Sequence, residues 1–343
     1  MSDSSSFVLA NSAVGFGAHG PEDDDLHAPM NAAVESYALT ETQYFGFSAP
    51  EHRIHGIGYF WHHPRLNCIT GGVAAWQGQK ALQSGAELHD MRSFMSDAPV
   101  RKGLGRFQMD NRYEVEVIEP LERIRIKYHD PARGNALDIL YTAVSAPMML
   151  PNRKHFEQVM RTQGTLTLRG KTVRINGYNI RDRSWAEARS EMPMASPPVA
   201  WMTGVFGDDF AFNCCCTEDP DANVEWKDIY PEHTAAAALK GGWILRDQRR
   251  QRLIKARSVI ERDAHLHPSH ITLQLTGEDG VTHEVRGTVR SSCPVSLWPN
   301  VFVPVCLTEW HWDGRTGWGD TQDCQWPDFV HYALANRSTG TGQ

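Results

Sequence analysis

The stretch Gly164–Arg181 constrains the fold more than any other part of the chain. It reads GTLTLRGKTVRINGYNIR, with apolar and polar residues alternating on both sides of Arg169-Gly170-Lys171. Alternation of period two marks a strand with one wet face, and a short glycine-containing polar break between two such runs marks a tight hairpin. The second strand runs straight into Asp182-Arg183-Ser184-Trp185 and so ends in a dense polar cluster. A carboxylate between two arginines and beside an indole is unusual as plain structure. It suits the placing of one acid group at the mouth of an apolar cavity.

The same texture recurs along the chain. Tyr44-Phe45-Gly46-Phe47, Ile57–Trp61 and Gly71–Trp76 are short, aromatic and punctuated by glycine, a strand signature. Tyr113–Val117 and Ile124–Tyr128 alternate on either side of the turn Glu119-Pro120-Leu121-Glu122, and Leu137–Ala143 reads as the next strand. Pro147–Arg153 breaks the pattern and is taken as a domain boundary. Further strands are expected near 164–180, 199–206, 209–216, 242–246, 252–258, 270–276 and 282–290. The turn Gly277-Glu278-Asp279-Gly280 joins the last two. Helical periodicity is scarce. The alanine-rich Glu232–Leu239 is one candidate helix, ended by Gly241-Gly242. Residues 1–42, serine-rich at the start and acidic at Gly20-Pro-Glu-Asp-Asp-Asp25, are expected to be loosely ordered. The expected architecture is therefore all-β: an N-terminal β-barrel domain over 43–150 and a C-terminal one over 151–335.

Charge and composition exclude several function classes. The net charge of the 343 residues is -7, so no basic surplus points to nucleic acid or to an anionic membrane. The first residues carry no basic run before an apolar one, and no stretch approaches about 18 apolar residues, so neither a leader nor a spanning helix is expected. The seven cysteines are odd in number, three are consecutive (Cys214–Cys216), and none forms a C-x-x-C pair. Buried free thiols in a reducing, cytoplasmic setting are the expectation. There is no G-x-S-x-G, no Walker loop, no H-E-x-x-H, and no G-x-G-x-x-G after a strand. No cofactor is expected. A homo-oligomer is compatible with the sequence.

Three groups of residues could carry chemistry. Asp182, flanked by Arg181 and Arg183, lies near Tyr178 and Trp185. On a regular strand 178, 180, 182 and 184 share one face, while 181, 183 and 185 share the other. Asp182 reads either as an acid whose pKa an apolar pocket raises or as a structural Asp–Arg pair closing a barrel end. His52, His55, His62 and His63 resemble metal ligands by type, in which case the chain is a metal-dependent enzyme, or they serve as pocket and turn polar groups. Trp298, Trp310, Trp312, Trp318 and Trp326 crowd the last part of the chain. They wall a cavity for an apolar ligand or fill a barrel core.

Gly177-Tyr178-Asn-Ile-Arg181-Asp182-Arg183-Ser184-Trp185 resembles the G-x-x-x-x-D-H-x-W-G signature of the carotenoid 1,2-hydratase and AttH-like family. Gly58–Pro64, Gly71–Trp76, His155-Phe156-Glu157-Gln158 before Gly164, and Asp313–Gly319 are similar to bacterial members of the same group. The likeness spans roughly 43–325. It implies two tandem lipocalin-like β-barrels and a cofactor-independent enzyme for a hydrophobic, isoprenoid- or polyketide-like small molecule. The implied reaction is hydration or dehydration of a double bond, or a related isomerisation or cyclisation. Asp182 would donate the proton, with Tyr178 and Arg183 tuning it. Arg181, Trp185, His155, Trp201, Trp243, Trp310, His62 and Trp61 would hold the substrate. The chain departs from the signature at Arg183, where histidine is usual, and at Ala186, where glycine is usual. Arginine cannot serve as acid or base near neutral pH. The alternative from another class is a non-catalytic carrier of a lipid- or steroid-like ligand.

Overall fold

The computed structural model describes residues 19–27, 39–150, 154–187, 196–221, 229–247, 249–296 and 300–339. Two compact units divide it: Met1–Gln77 with Ala86–Arg189, and Gly78–Gly85 with Ser190–Gln343. The boundary therefore falls some forty residues later than the break at Pro147 suggested. The reason is the hairpin around Arg169-Gly170. Its strands β10 (His155–Leu168) and β11 (Lys171–Glu187) insert between β1 (Leu39–Ala49) and β8 (Asn135–Ala143), so they belong to the first sheet. At the turn, Arg169 (φ 49°) and Gly170 (φ 81°) are both left-handed, the pair that a two-residue hairpin matched to strand twist requires.

The first unit is one eleven-stranded antiparallel sheet. Its other strands are β2 (Ile54–His63), β3 (Cys68–Gln77), β4 (Leu88–Ser96), β5 (Arg106–Gln108), β6 (Glu114–Glu119), β7 (Arg123–Asp130) and the short β9 (Met148–Met149). It is curled as a half-barrel rather than closed, because β4 and β5 end the sheet without pairing. Side chains bridge the gap instead. The buried Asn111 amide donates to the Gly71 carbonyl at 3.1 Å and to the Asp90 carbonyl at 2.7 Å, and Tyr128 donates to the Asp90 carboxylate at 3.0 Å. Burial alternates along β7 and β8 as the sequence alternates. Phe45, Phe47, Phe60, Tyr113, Ile126, Ile139 and Tyr141 face inward and pack into one cluster.

The second unit closes as an eight-stranded barrel, β12 (Val199–Gly207), β13 (Phe210–Thr217), β14 (Leu239–Arg246), β15 (Arg249–Arg262), β16 (Pro268–Gly277), β17 (Thr282–Pro294), β18 (Pro304–Trp312) and β19 (Arg315–Cys324). The fold is two-domain and lipocalin-like. Phe212, Ile244, Leu273, Trp310 and Trp312 fill the barrel interior. Gly204 and Gly287 make the room: a Cβ on either would sit 2.9 or 2.5 Å from the Trp310 ring. The helix expected over 232–239 is a single 3-10 turn at Ala235–Ala237, after which Leu239 enters β14. One α-helix, α1 (Pro327–Thr339), follows the barrel where none was expected. Among the described residues no helix is long and apolar enough to cross a membrane.

Candidate functional site

Strand β11 sorts the sequence candidates onto two faces of one sheet. On the outer face, cross-strand register places Tyr59, Tyr44, Asp182 and Glu157 in one row across β2, β1, β11 and β10. The next row is Trp61, Thr42, Ser184 and His155. Directly opposed residues on neighbouring strands have Cβ atoms about 5 Å apart, so the Asp182 and Glu157 carboxylates are neighbours. His155 Nε2 lies 3.4 Å from Glu157 Oε1, and the Thr42 and Ser184 hydroxyls are 2.8 Å apart. Tyr44, Tyr59, Glu157 and His155 are buried, and Asp182 and Trp61 are half-buried. Trp61 lies against His63, their ring centroids 4.4 Å apart. Burial, and then the neighbouring His62, push the His63 imidazole down to about 4. Tyr178 shares this face but sits two pleats away, about 13 Å along the strand, under the Arg161 guanidinium at 5.7 Å.

On the inner face stand Arg181, Arg183 and Trp185, opposite Phe45, Gln43 and Glu41. Neither arginine flanks Asp182 in space. Both are wholly buried and take their carboxylates from elsewhere: Arg181 Nη1 donates to Asp24 at 2.5 Å, and Arg183 Nη2 to Glu41 at 3.1 Å. Burial pulls the Arg183 guanidinium below its ordinary value, against the charges of Glu41 and Asp24. His62 also points inward, its Nε2 3.5 Å from Asp97, and burial lowers its pKa. His27 stacks on the Trp185 indole with centroids 3.6 Å apart. Despite burial, contacts with Asp23 and Glu41 raise the His27 pKa. Burial opposes ionisation of Asp23 as well, yet His19 and His27 hold it well below the usual carboxylate range.

This corrects the reading of residues 1–42 where they are described. A 3-10 turn spans Pro21–Asp24, His19 and Asp24 are buried, and β1 begins at Leu39. The acidic run expected to be loosely ordered is held because Asp24 supplies the counter-charge of the buried Arg181, and a buried charge without a partner is far more costly than a paired one. The remainder of 1–42 lies outside the described residues.

The first-half histidines do not converge. Period two sends His62 inward and His55 and His63 outward, and among the described residues no three His, Cys, Asp or Glu side chains gather as metal ligands. In the second unit Trp310 is core rather than cavity wall. Trp243 and Trp201 lie opposite Asn213 and Cys215, on the strand face away from the interior residues Phe212 and Cys214. Trp298 lies outside the described residues. Sequence reasoning passed over Tyr44, Tyr59 and Glu157. The signal for Glu157 was present, since His155 and Glu157 alternate onto one face beside the Asp182 strand.

Three solved structures share this fold. The structure of CghA matches with a TM-score of 0.55 at 11% identity, over 85% of this chain and 89% of that one. Kievitone hydratase from Nectria haematococca matches with a TM-score of 0.51 at 9% identity, over 84% and 89%. A protein assigned as AttH from Nitrosomonas europaea matches with a TM-score of 0.51 at 12% identity, over 87% and 96%. No curated protein sequence shows significant similarity. The family model described as domain of unknown function DUF7064 matches residues 20–328, a span that begins at the acidic turn and ends in α1, and the chain belongs to that family.

Proposed function

We propose that the chain is a cofactor-independent enzyme that handles protons on a hydrophobic, isoprenoid- or polyketide-like substrate. The reaction would be hydration or dehydration of a double bond, or a related isomerisation or cyclisation. One observation carries the reading: Asp182 and Glu157 are directly opposed on adjacent strands of a largely buried face, with His155 on Glu157 and Tyr44 alongside. Two carboxylates so placed favour one shared proton. Asp182, the more exposed of the two, would deliver it, and the Glu157–His155 pair would take it back. That pair supplies the second proton-handling group which Arg183, standing in place of the usual histidine, cannot. Trp61, beside this row, offers a ring face to developing positive charge. Kievitone hydratase, with the same fold, is named for the same reaction class. The carrier reading has less support, because side-chain clusters fill both sheet interiors where a lipocalin-type ligand would sit. All seven thiols are free, which supports a cytoplasmic setting.

The test is native mass spectrometry of the protein incubated over time with a lipid extract, then the same with Asp182→Asn. A bound molecule that gains or loses the mass of one water, or returns as an isomer, supports the enzyme. The variant is expected to fold and bind while turnover falls at least about a hundredfold. A molecule recovered unchanged from the wild type moves the assignment to a carrier, and normal turnover by the variant removes Asp182 from the chemistry.

A further inference from the structure

The inner face of the first sheet has no part in the reaction proposed above, yet it carries two wholly buried arginines. Arg181 is held by the scaffold: its Nε donates to Gln158 Oε1 at 2.8 Å. The Gln158 amide is itself fixed, donating to the carbonyls of Leu121 at 2.7 Å and Ser145 at 2.9 Å. This leaves the outer fork of Arg181, Nη1 and Nη2, directed at the Asp24 carboxylate at 2.5 and 3.3 Å. Arg183 spends one nitrogen on Glu41, while its Nε and Nη1 are buried with no partner among the described residues. Gln43, directly across from Arg183, is 1% exposed, and neither amide atom has a partner among the described residues. Buried donors are almost always satisfied, so this set asks for an acceptor that the described residues do not supply.

Asp24 does not come from the sheet. It belongs to residues 19–27, which are fastened by polar contacts and one apolar one: Asp25 accepts from the Leu104 amide at 2.8 Å, Asp24 accepts from the Leu121 amide, the His27 amide donates to Glu41 at 2.9 Å, and Leu26 packs against the inner cluster. A seat whose walls come from β1, β10 and β11 is thus filled by a carboxylate on a separate piece of chain. An end-on arginine fork is the geometry that carboxylates prefer. Removing Asp24 leaves Arg181 one negative charge short, so an incoming group must carry one. Phe45, Phe60 and their neighbours occupy the rest of the interior, so it must be small.

We propose that Asp24 is a built-in stand-in for a small carboxylate ligand, which binds to Arg181, Arg183 and Gln43 by displacing residues 19–27. Sodium propionate is the probe, with sodium chloride at equal ionic strength as the control, and hydrogen exchange of the full-length chain is the readout. Propionate is expected to speed exchange across 19–27 at least about threefold and saturably, with β10 and β11 unchanged. Arg183→Met is expected to abolish the response, and Asp24→Asn to lower the concentration of half-effect about tenfold by removing the competitor. Should Asp24→Asn not fold, Asp25→Ala, which removes the acceptor of the Leu104 amide without touching Arg181, shifts the response the same way. Equal exchange in propionate and chloride, or an unaltered response in Arg183→Met, overturns the proposal.

Discussion

Glu218 offers a sharp test of the electrostatics of the second unit. It follows β13 and is wholly buried. Its Oε2 accepts from Arg262 Nη1 at 2.8 Å, and its Oε1 accepts from the Ile260 amide at 2.7 Å. Arg262 divides itself between two carboxylates, with its Nε 2.6 Å from Asp323, and the Phe329 ring of α1 lies under it at 5.1 Å. One cation between two anions leaves a negative charge uncompensated. Burial, with the Asp323 charge added and Arg262 opposing, raises the Glu218 pKa from 4.5 to about 7. Because the folded value is the higher one, the stability from neutral Glu218 is fully present below pH 4.5 and is lost as pH rises through 7. At about 1.36 kcal/mol per pH unit, that gap amounts to ~3 kcal/mol. Glu218→Gln keeps the side chain neutral at every pH. Urea unfolding of both proteins at pH 4.5, 6, 7 and 8 should show the variant gaining ~3 kcal/mol on the wild type across that range, whatever its stability at pH 4.5. Parallel pH profiles, within about 0.5 kcal/mol, would refute the reasoning.

The first unit has its own pH dependence. His27 faces Asp23, Glu41 and Arg183 and has a raised pKa, so its contribution is complete below pH 6.5 and is lost as pH rises past the raised value. Exchange of residues 19–27, corrected for intrinsic rate, should be faster at pH 8.5 than at pH 6, and His27→Gln should erase that difference. In the barrel, Trp310→Ala should cost about 3–5 kcal/mol in urea unfolding, as large truncations in packed cores do. A cost near zero would mean that Trp310 lines open space. Gly204→Ala should cost about 1–3 kcal/mol, because its new methyl would fall 2.4 Å from Phe212 and 2.9 Å from Trp310. Wild-type stability in that variant would show the interior to be loose.

Strand identity was legible in the sequence because the side-chain period of a strand is local. Alternation in Tyr113–Tyr128 and in Gly164–Arg181 marks the hairpins, and Arg169-Gly170 marks a turn that only left-handed residues can make. The same period separated Asp182 from Arg181 and Arg183. What each face meets was not legible. Asp24 and Glu41 reach Arg181 and Arg183 across 157 and 142 residues, and no local pattern reports a charge pair at that separation. The acidic turn therefore reads as loosely ordered, although its Asp24 pairs with the buried Arg181. In the same way, Tyr44 and Glu157 meet Asp182 only because β11 is inserted between β1 and β10.

The sequence by itself determined the all-β class, the hairpins, and the acid-bearing strand with its two chemically distinct faces, since these depend on period, turn chemistry and neighbours along the chain. Only the tertiary structure decided that the first sheet stays open, that the domain boundary lies beyond β11, and that Trp310 is core. It also decided which carboxylates meet which arginines. Each of these depends on strand order and on contacts between distant segments, where burial sets the electrostatic cost and the partner that offsets it.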